Sequence, residues 1–144
     1  MFKHVLIPTD GSRVSRRAVR AAIVFAKELG ARATAYHALE VPAYASGGFV
    51  PRSVLEQLDA GARKQAQSYL DEAVRLARGA GVPCDTLINR PEAVYEGIVN
   101  AARRKKCDVI FMGSHGRSEL ASLVVGSVTL KVLAHSKIPV VVFR

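Results

Sequence analysis

The sequence has no tryptophan, only two cysteines and only 6% aromatic residues. Each shortage narrows the function. Platforms for single-stranded nucleic acid stack bases on aromatic faces, and few such faces exist here. Cys84 and Cys107 stand far apart and match no zinc spacing. They read as small core or near-core residues of a chain kept in a reducing compartment. No apolar run approaches the roughly 18–20 residues of a membrane helix. The opening Met-Phe-Lys-His-Val-Leu-Ile has neither the apolar length nor the small-residue cleavage site of a signal peptide. The expectation is a cytoplasmic protein. Acidic residues are also scarce, 12 against 21 Lys plus Arg, for a formal charge of +9. That excess favours an anionic partner, and alone it leaves nucleic acid, membrane surface and phosphate ligand open.

What remains is an ordinary globular mixture, 49% hydrophobic and 23% charged over 144 residues. That length predicts one domain, residues 1–144, with a core that needs no staples. Val5-Leu6-Ile7, ended by Pro8-Thr9-Asp10-Gly11, reads as a buried strand and a turn. Val14, Ala18, Ala21, Ala22, Phe25 and Leu29 then recur at helical spacing, and Gly30 ends that helix. Arg13, Arg16, Arg17 and Arg20 fall on other positions and read as its solvated face. Residues 33–39 read as a second strand and 42–52 as a loop. Ser53, with Glu56 three residues on, predicts a capped helix reaching about Arg78. Its apolar stripe is Leu55, Leu58, Ala62, Ala66, Tyr69, Leu70, Ala73 and Ala77, and Gly79-Ala80-Gly81 stops it.

Residues 84–88 form the third predicted strand. Pro91 opens a helix from Glu92 to about Lys105, and Arg103 to Lys106 complement its dipole. Val109 to Met112 is a fourth strand. A helix from Gly126-Ser127 to about His135 follows, and Val140 to Phe143 is the last strand. Apolar strands alternating with amphipathic helices imply an α/β fold. Its sheet is mostly parallel and covered on both faces.

In such a sheet, ligands bind beyond the carboxyl ends of the strands, where strand order reverses. Two polar loops follow strands. One is Pro8-Thr9-Asp10-Gly11-Ser12. The other runs from Gly113-Ser114-His115-Gly116 to Gly126-Ser127-Val128-Thr129. If strands one and four are neighbours, both loops face one crevice. The second has phosphate-binding logic. Glycines let backbone approach an anion and adopt positive φ, and amides then form a nest at a helix N-terminus. The pattern, Gly-x2-Gly-x9-Gly-Ser, is not a Walker loop, because no Lys follows the last glycine.

These motifs resemble the universal stress protein (UspA-like) family, in its ATP-binding branch. The carriers are Val5 through Ser12, Asp108 through Gly116, Gly126 through Thr129, and His135 through Val142. The resemblance spans essentially the whole chain. It implies a five-stranded parallel sheet in order 3-2-1-4-5, Rossmann-like, with helices on both faces. It also implies ATP, with Mg²⁺ bridging phosphates, in the crevice between strands one and four. Carried over by position, Pro8, Thr9 and Asp10 lie by the adenosine, and Ala38 lines the adenine pocket. Met112, Gly113, Ser114, His115, Gly116 and Arg117, with Gly126, Ser127, Val128 and Thr129, hold ribose and phosphates. Two departures stand out. Ala38 is smaller than the usual branched residue and loosens the adenine contact. The exit of strand three is Asn89-Arg90-Pro91, where the family often has Gly before Pro; Asn tolerates the left-handed backbone that Gly would adopt. The resemblance further implies a homodimer joined through Val140, Val141, Val142 and Phe143, an apolar edge suited to pairing.

The leading expectation is a nucleotide-binding regulator that acts by conformation or partners. Slow ATP hydrolysis or phosphoryl transfer is the alternative, with Asp10 and Glu119 as the nearby carboxylates and no evident base. Nucleic-acid binding through the basic helix faces ranks below it. Asp10 has a plainer role as a turn cap, and His115 as a backbone hydrogen-bonding residue. His4, His37 and His135 are expected to be structural or solvated.

Overall fold

The computed structural model describes residues 1–116 and 125–144, with the side chains of residues 45 and 46 set aside. Its elements are β1 (His4–Pro8), α1 (Arg13–Leu29), β2 (Arg32–Ala38), a 3-10 turn (Ala43–Ser46) and α2 (Arg52–Ala80). They continue with β3 (Cys84–Asn89), α3 (Val94–Arg104), β4 (Val109–Gly113), α4 (Ser127–His135) and β5 (Val140–Phe143). The strands form one sheet in order β3-β2-β1-β4-β5, and every pairing is parallel.

Strand alternation divides the core in two. Val5, Ile7, Ala33, Ala35, Val109 and Phe111 face α1 and α2, meeting Val19, Ile23 and Leu70. Leu6, Tyr36, Ile110 and Met112 face the other way, toward Ile98 of α3 and Val132 of α4. Val5, Leu6 and Ile7 are each 0% exposed, which is why that strand reads as an unbroken apolar run. Cys107 is buried and Cys84 half-buried. Burial pushes the Cys107 thiol up to about 12, as suits an inert core residue.

Several expectations need correcting. The buried stripe of α1 is Ser15, Ala18, Val19, Ala22, Ile23 and Ala26, whereas Leu29 is 48% exposed. The helix is apolar over more than one stripe. The small residues Ala18, Ala22 and Ala26 let it lie close to the sheet, and packing chose that face. Ser53 does not cap α2. The helix starts at Arg52 behind Pro51, without a side-chain cap, and Glu56 instead pairs with Arg52 at 3.1 Å. Leu58 is 44% exposed, and only the second half of α2 enters the core, through Ala66, Leu70, Ala73 and Ala77. Its 29 residues span about 44 Å, while the seven residues of β2 span roughly 23 Å. The surplus overhangs the carboxyl edge of the sheet.

Helix α3 begins at Val94, not Glu92. Pro91 stays in the loop, against Gly97, where an added Cβ would lie 2.6 Å from the proline ring. Asn89 is not left-handed. It is the last residue of β3, and among the described residues Lys106 is the non-glycine with positive φ. The Asn89 side chain instead accepts a hydrogen bond from the Tyr36 hydroxyl at 2.7 Å. Gly30 and Gly81 do close their helices in the left-handed conformation, with φ 62° and 75°. Among the described residues no helix is long and apolar enough to cross a membrane.

Candidate functional site

Strand order reverses between β1 and β4, because the chain leaves β1 toward β2 and returns on its other side. A cavity of about 510 Å³ opens there, at the carboxyl edge of the sheet. Parallel sheets place their ligand sites at this position. The two loops singled out from the sequence form its opposite lips. The roof is the overhanging part of α2, through Ala62, Gln65, Ala66 and Tyr69.

The first lip is held by its own polar groups. The Ser12 amide donates to Asp10 Oδ1 at 2.9 Å, and the Ser15 amide donates to Ser12 Oγ at 3.2 Å, which caps α1. The Thr9 amide donates to the Tyr36 carbonyl at 2.9 Å. Gly11 sits at φ 76°, and a Cβ there would collide with the Tyr69 ring. Only glycine combines that backbone with so close a roof. The lip therefore presents an acceptor, the Asp10 carboxylate, in a defined turn.

The second lip is different. Gly113 and Gly116 do not adopt positive φ. The glycines serve close approach instead. A Cβ on Gly116 would lie 2.6 Å from Asp10 Oδ2, so this residue marks where the two lips meet. Two of the expected amide donors are engaged within the protein: Ser114 donates to the Phe143 carbonyl and Gly126 to the Ser114 carbonyl, both at 2.6 Å. The loop is thereby pinned to β5. Helix α4 starts behind Gly126 with no side-chain cap. Its first-turn amides have no intrahelical acceptor, and the helix dipole adds partial positive charge there. Thr129 Oγ1 donates to the Gly113 carbonyl at 2.9 Å, tying the first turn of α4 to the end of β4.

Pro8, Thr9, Asp10, Ala38, Met112, Gly113, His115, Gly116, Val128 and Thr129 all line the cavity. Ser114 is fully buried behind it, with Oγ 3.0 Å from His115 Nδ1. Gly126 is buried and Ser127 exposed, and neither lines the wall. Arg117 and Glu119 lie outside the described residues. Among the described residues, no cluster of three or more His, Cys, Asp or Glu is placed to hold a metal.

The wall also contains residues that the motifs did not point to. His37, expected to be structural or solvated, lines the cavity, and Tyr36 does too. Burial raises the Tyr36 phenol far above its ordinary range. The signal for His37 was its place beside Ala38, at the carboxyl end of a strand. Tyr69 and Gln65 had no such signal, because their role depends on the overhang of α2.

The sheet order and the crevice at its reversal define a doubly wound α/β protein. The universal stress protein family profile matches residues 1–144. A universal stress protein of Thermus aquaticus is 34% identical, with all of both chains covered. YxiE, a universal stress protein of Bacillus subtilis, is 30% identical, again with all of both chains covered. The solved structure of MJ0577 from Methanocaldococcus jannaschii superposes with a TM-score of 0.81 at 26% identity, covering 99% of this chain and 96% of that one. A universal stress protein solved in complex with cAMP gives 0.73 at 26% identity, covering 99% and 97%. The chain belongs to the universal stress protein family.

Proposed function

We propose that this protein binds an adenine nucleotide, ATP, in the crevice between β1 and β4, and acts as a stress-response regulator through conformation or partners in the cytoplasm. One observation carries the reading. The Asp10 carboxylate and the first turn of α4 border one cavity, with Asp10 Oδ2 close to Gly116. A nucleotide has the matching polarity. Its hydroxyl and amine donors suit Asp10, and its phosphates suit the positive dipole end of α4. The relative solved with cAMP, an adenine nucleotide, supports the same class of ligand here.

The donor set also fits Mg²⁺ carried in on the phosphates. Mg²⁺ keeps most of its waters and needs one or two protein carboxylates at most. Asp10 is the carboxylate that meets both lips, and a bound ion would offset phosphate charge.

The edge strand β5 supports self-association. Val141 on it is 36% exposed, and Leu130 and Leu133 on α4 are 54% and 45% exposed. An open apolar edge of this kind pairs readily with a second copy, and sedimentation of wild type against Val141→Lys tests that homodimer.

Two measurements test nucleotide binding. Mass spectrometry of the small molecule released from native protein should find an adenine nucleotide. Calorimetric titration with ATP should show one site per chain that Gly116→Val and Gly126→Val each weaken. Unchanged affinity in both variants removes the assignment of the glycine loop.

A further inference from the structure

One residue of the crevice wall has a defined chemistry. His37 is 8% exposed, and it lies in the crevice wall. Its Nδ1 is 2.7 Å from the Thr9 carbonyl oxygen. A carbonyl oxygen only accepts, so Nδ1 carries the proton. In the neutral ring Nε2 then carries the lone pair, with no freedom to exchange tautomers. Nε2 has no hydrogen-bond partner among the described residues. It is not sealed either: among the described residues, the buried side-chain nitrogen without a partner is Nδ1 of His4. The small exposed part of His37 thus includes its lone pair, facing the cavity. The Tyr69 ring, with its centroid 5.7 Å from that of the imidazole, restricts its rotation from the roof side.

We infer that His37 is a specificity-determining residue of the crevice: its Nε2 accepts a hydrogen bond from a donor on the adenosine part of the ligand. The inference rests on the nucleotide reading above and deepens it. Adenosine carries two kinds of donor within reach of such a wall, the exocyclic amine of the base and the ribose hydroxyls. A buried lone pair favours either over an analogue that lacks it. An acceptor set against it is worse still, because both groups then lose their water without gaining a partner.

The test is calorimetric titration with ATP, inosine triphosphate, 2′-deoxy-ATP and 3′-deoxy-ATP. In inosine triphosphate a carbonyl replaces the amine. The proteins are wild type, His37→Asn and His37→Gln. Asn keeps an amide near the Nδ1 position for the Thr9 carbonyl but places nothing at the Nε2 position. Gln places its amide near the Nε2 position. Wild type should prefer ATP over one analogue by about tenfold or more. Loss with inosine triphosphate names the amine as the donor, and loss with a deoxy analogue names the hydroxyl. The preference should shrink to about twofold in His37→Asn and partly return in His37→Gln. Equal binding of all four by wild type overturns the role of His37 while leaving the nucleotide site standing. So does a preference that survives His37→Asn. If wild type binds none of the four, the nucleotide reading fails together with it.

Discussion

The two ends of the sheet handle polar groups in opposite ways. At the amino end they are joined to one another. Asp108 accepts the Lys3 amide at 2.7 Å and the His4 amide at 3.2 Å, which fastens the start of β1 to the start of β4. His4 Nε2 donates to Thr34 Oγ1 at 2.7 Å, and that hydroxyl donates in turn to Asp85. Asp85 also meets Lys105 Nζ at 2.8 Å. Although burial opposes it, those hydrogen bonds and the charge of Lys105 hold the Asp85 carboxyl below its ordinary range. At the carboxyl end, Asp10, His37 and the first turn of α4, through Val128 and Thr129, line the cavity. On the proposed function, one end of the fold serves stability and the other a ligand. Mutations at the two ends should therefore separate binding from stability.

The largest effect is expected at the carboxyl end. Gly116→Val drives a side chain into the Asp10 carboxylate. ATP affinity should fall about 30- to 150-fold, the equivalent of 2–3 kcal/mol. Calorimetry reads the loss, and the melting temperature should move by only a few degrees. A large drop in melting temperature would show that this lip is structural.

The converse variant is Thr34→Val. Thr34 is 0% exposed, and removing its hydroxyl breaks the chain between His4 and Asp85. Stability should fall by about 2 kcal/mol in urea denaturation, with ATP affinity within twofold of wild type. Affinity that falls in step with stability would couple the two ends and end the comparison.

A smaller effect comes with pH. Burial first, then the charge of Arg32, lowers the His4 pKa. With Nε2–H held by Thr34, a second proton must sit on Nδ1, which is buried without a partner. The unfolded chain thus binds this proton more readily than the folded one. Stability should be highest above the unfolded value near 6.5 and decline as pH falls below it. Urea midpoints between pH 7.5 and 5 measure that slope, and His4→Gln should flatten it. A slope unchanged by the substitution assigns the effect elsewhere.

The smallest effect concerns the roof. Asp59 on α2 pairs with Arg63 at 2.9 Å and also with Arg90, beyond the end of β3. Those guanidiniums hold its carboxyl below the ordinary range. The pairs are solvent-exposed, so Asp59→Asn should leave the denaturation midpoint unchanged within error. It removes a tie on the overhanging part of α2, so nucleotide release should be faster in stopped-flow displacement. Identical release rates would mean that the roof is held by other contacts.

Much of this was legible in the chain. Val5-Leu6-Ile7 announced a strand buried on both faces, and Gly30 and Gly81 announced helix ends, because those signals are local. The polar loops after β1 and β4 could be named as candidate lips, and ten of the fourteen residues proposed for the site line the cavity. The errors share one cause. Ser53 looked like a cap, Leu29 like core and Asn89 like a left-handed turn, since each fits a local pattern that tertiary contacts overrode.

The sequence by itself determined the alternation of strands and helices, the parallel class of sheet and the family. All of these depend on periodicity and on motifs contiguous in the chain. Only the tertiary structure decided that α1 buries Val19 and Ile23, that α2 overhangs the sheet edge, and that Gly116 meets Asp10. It alone turned His37 from an isolated histidine into an oriented lone pair. A ring nitrogen acquires a direction only when a distant carbonyl, here that of Thr9, holds the other one.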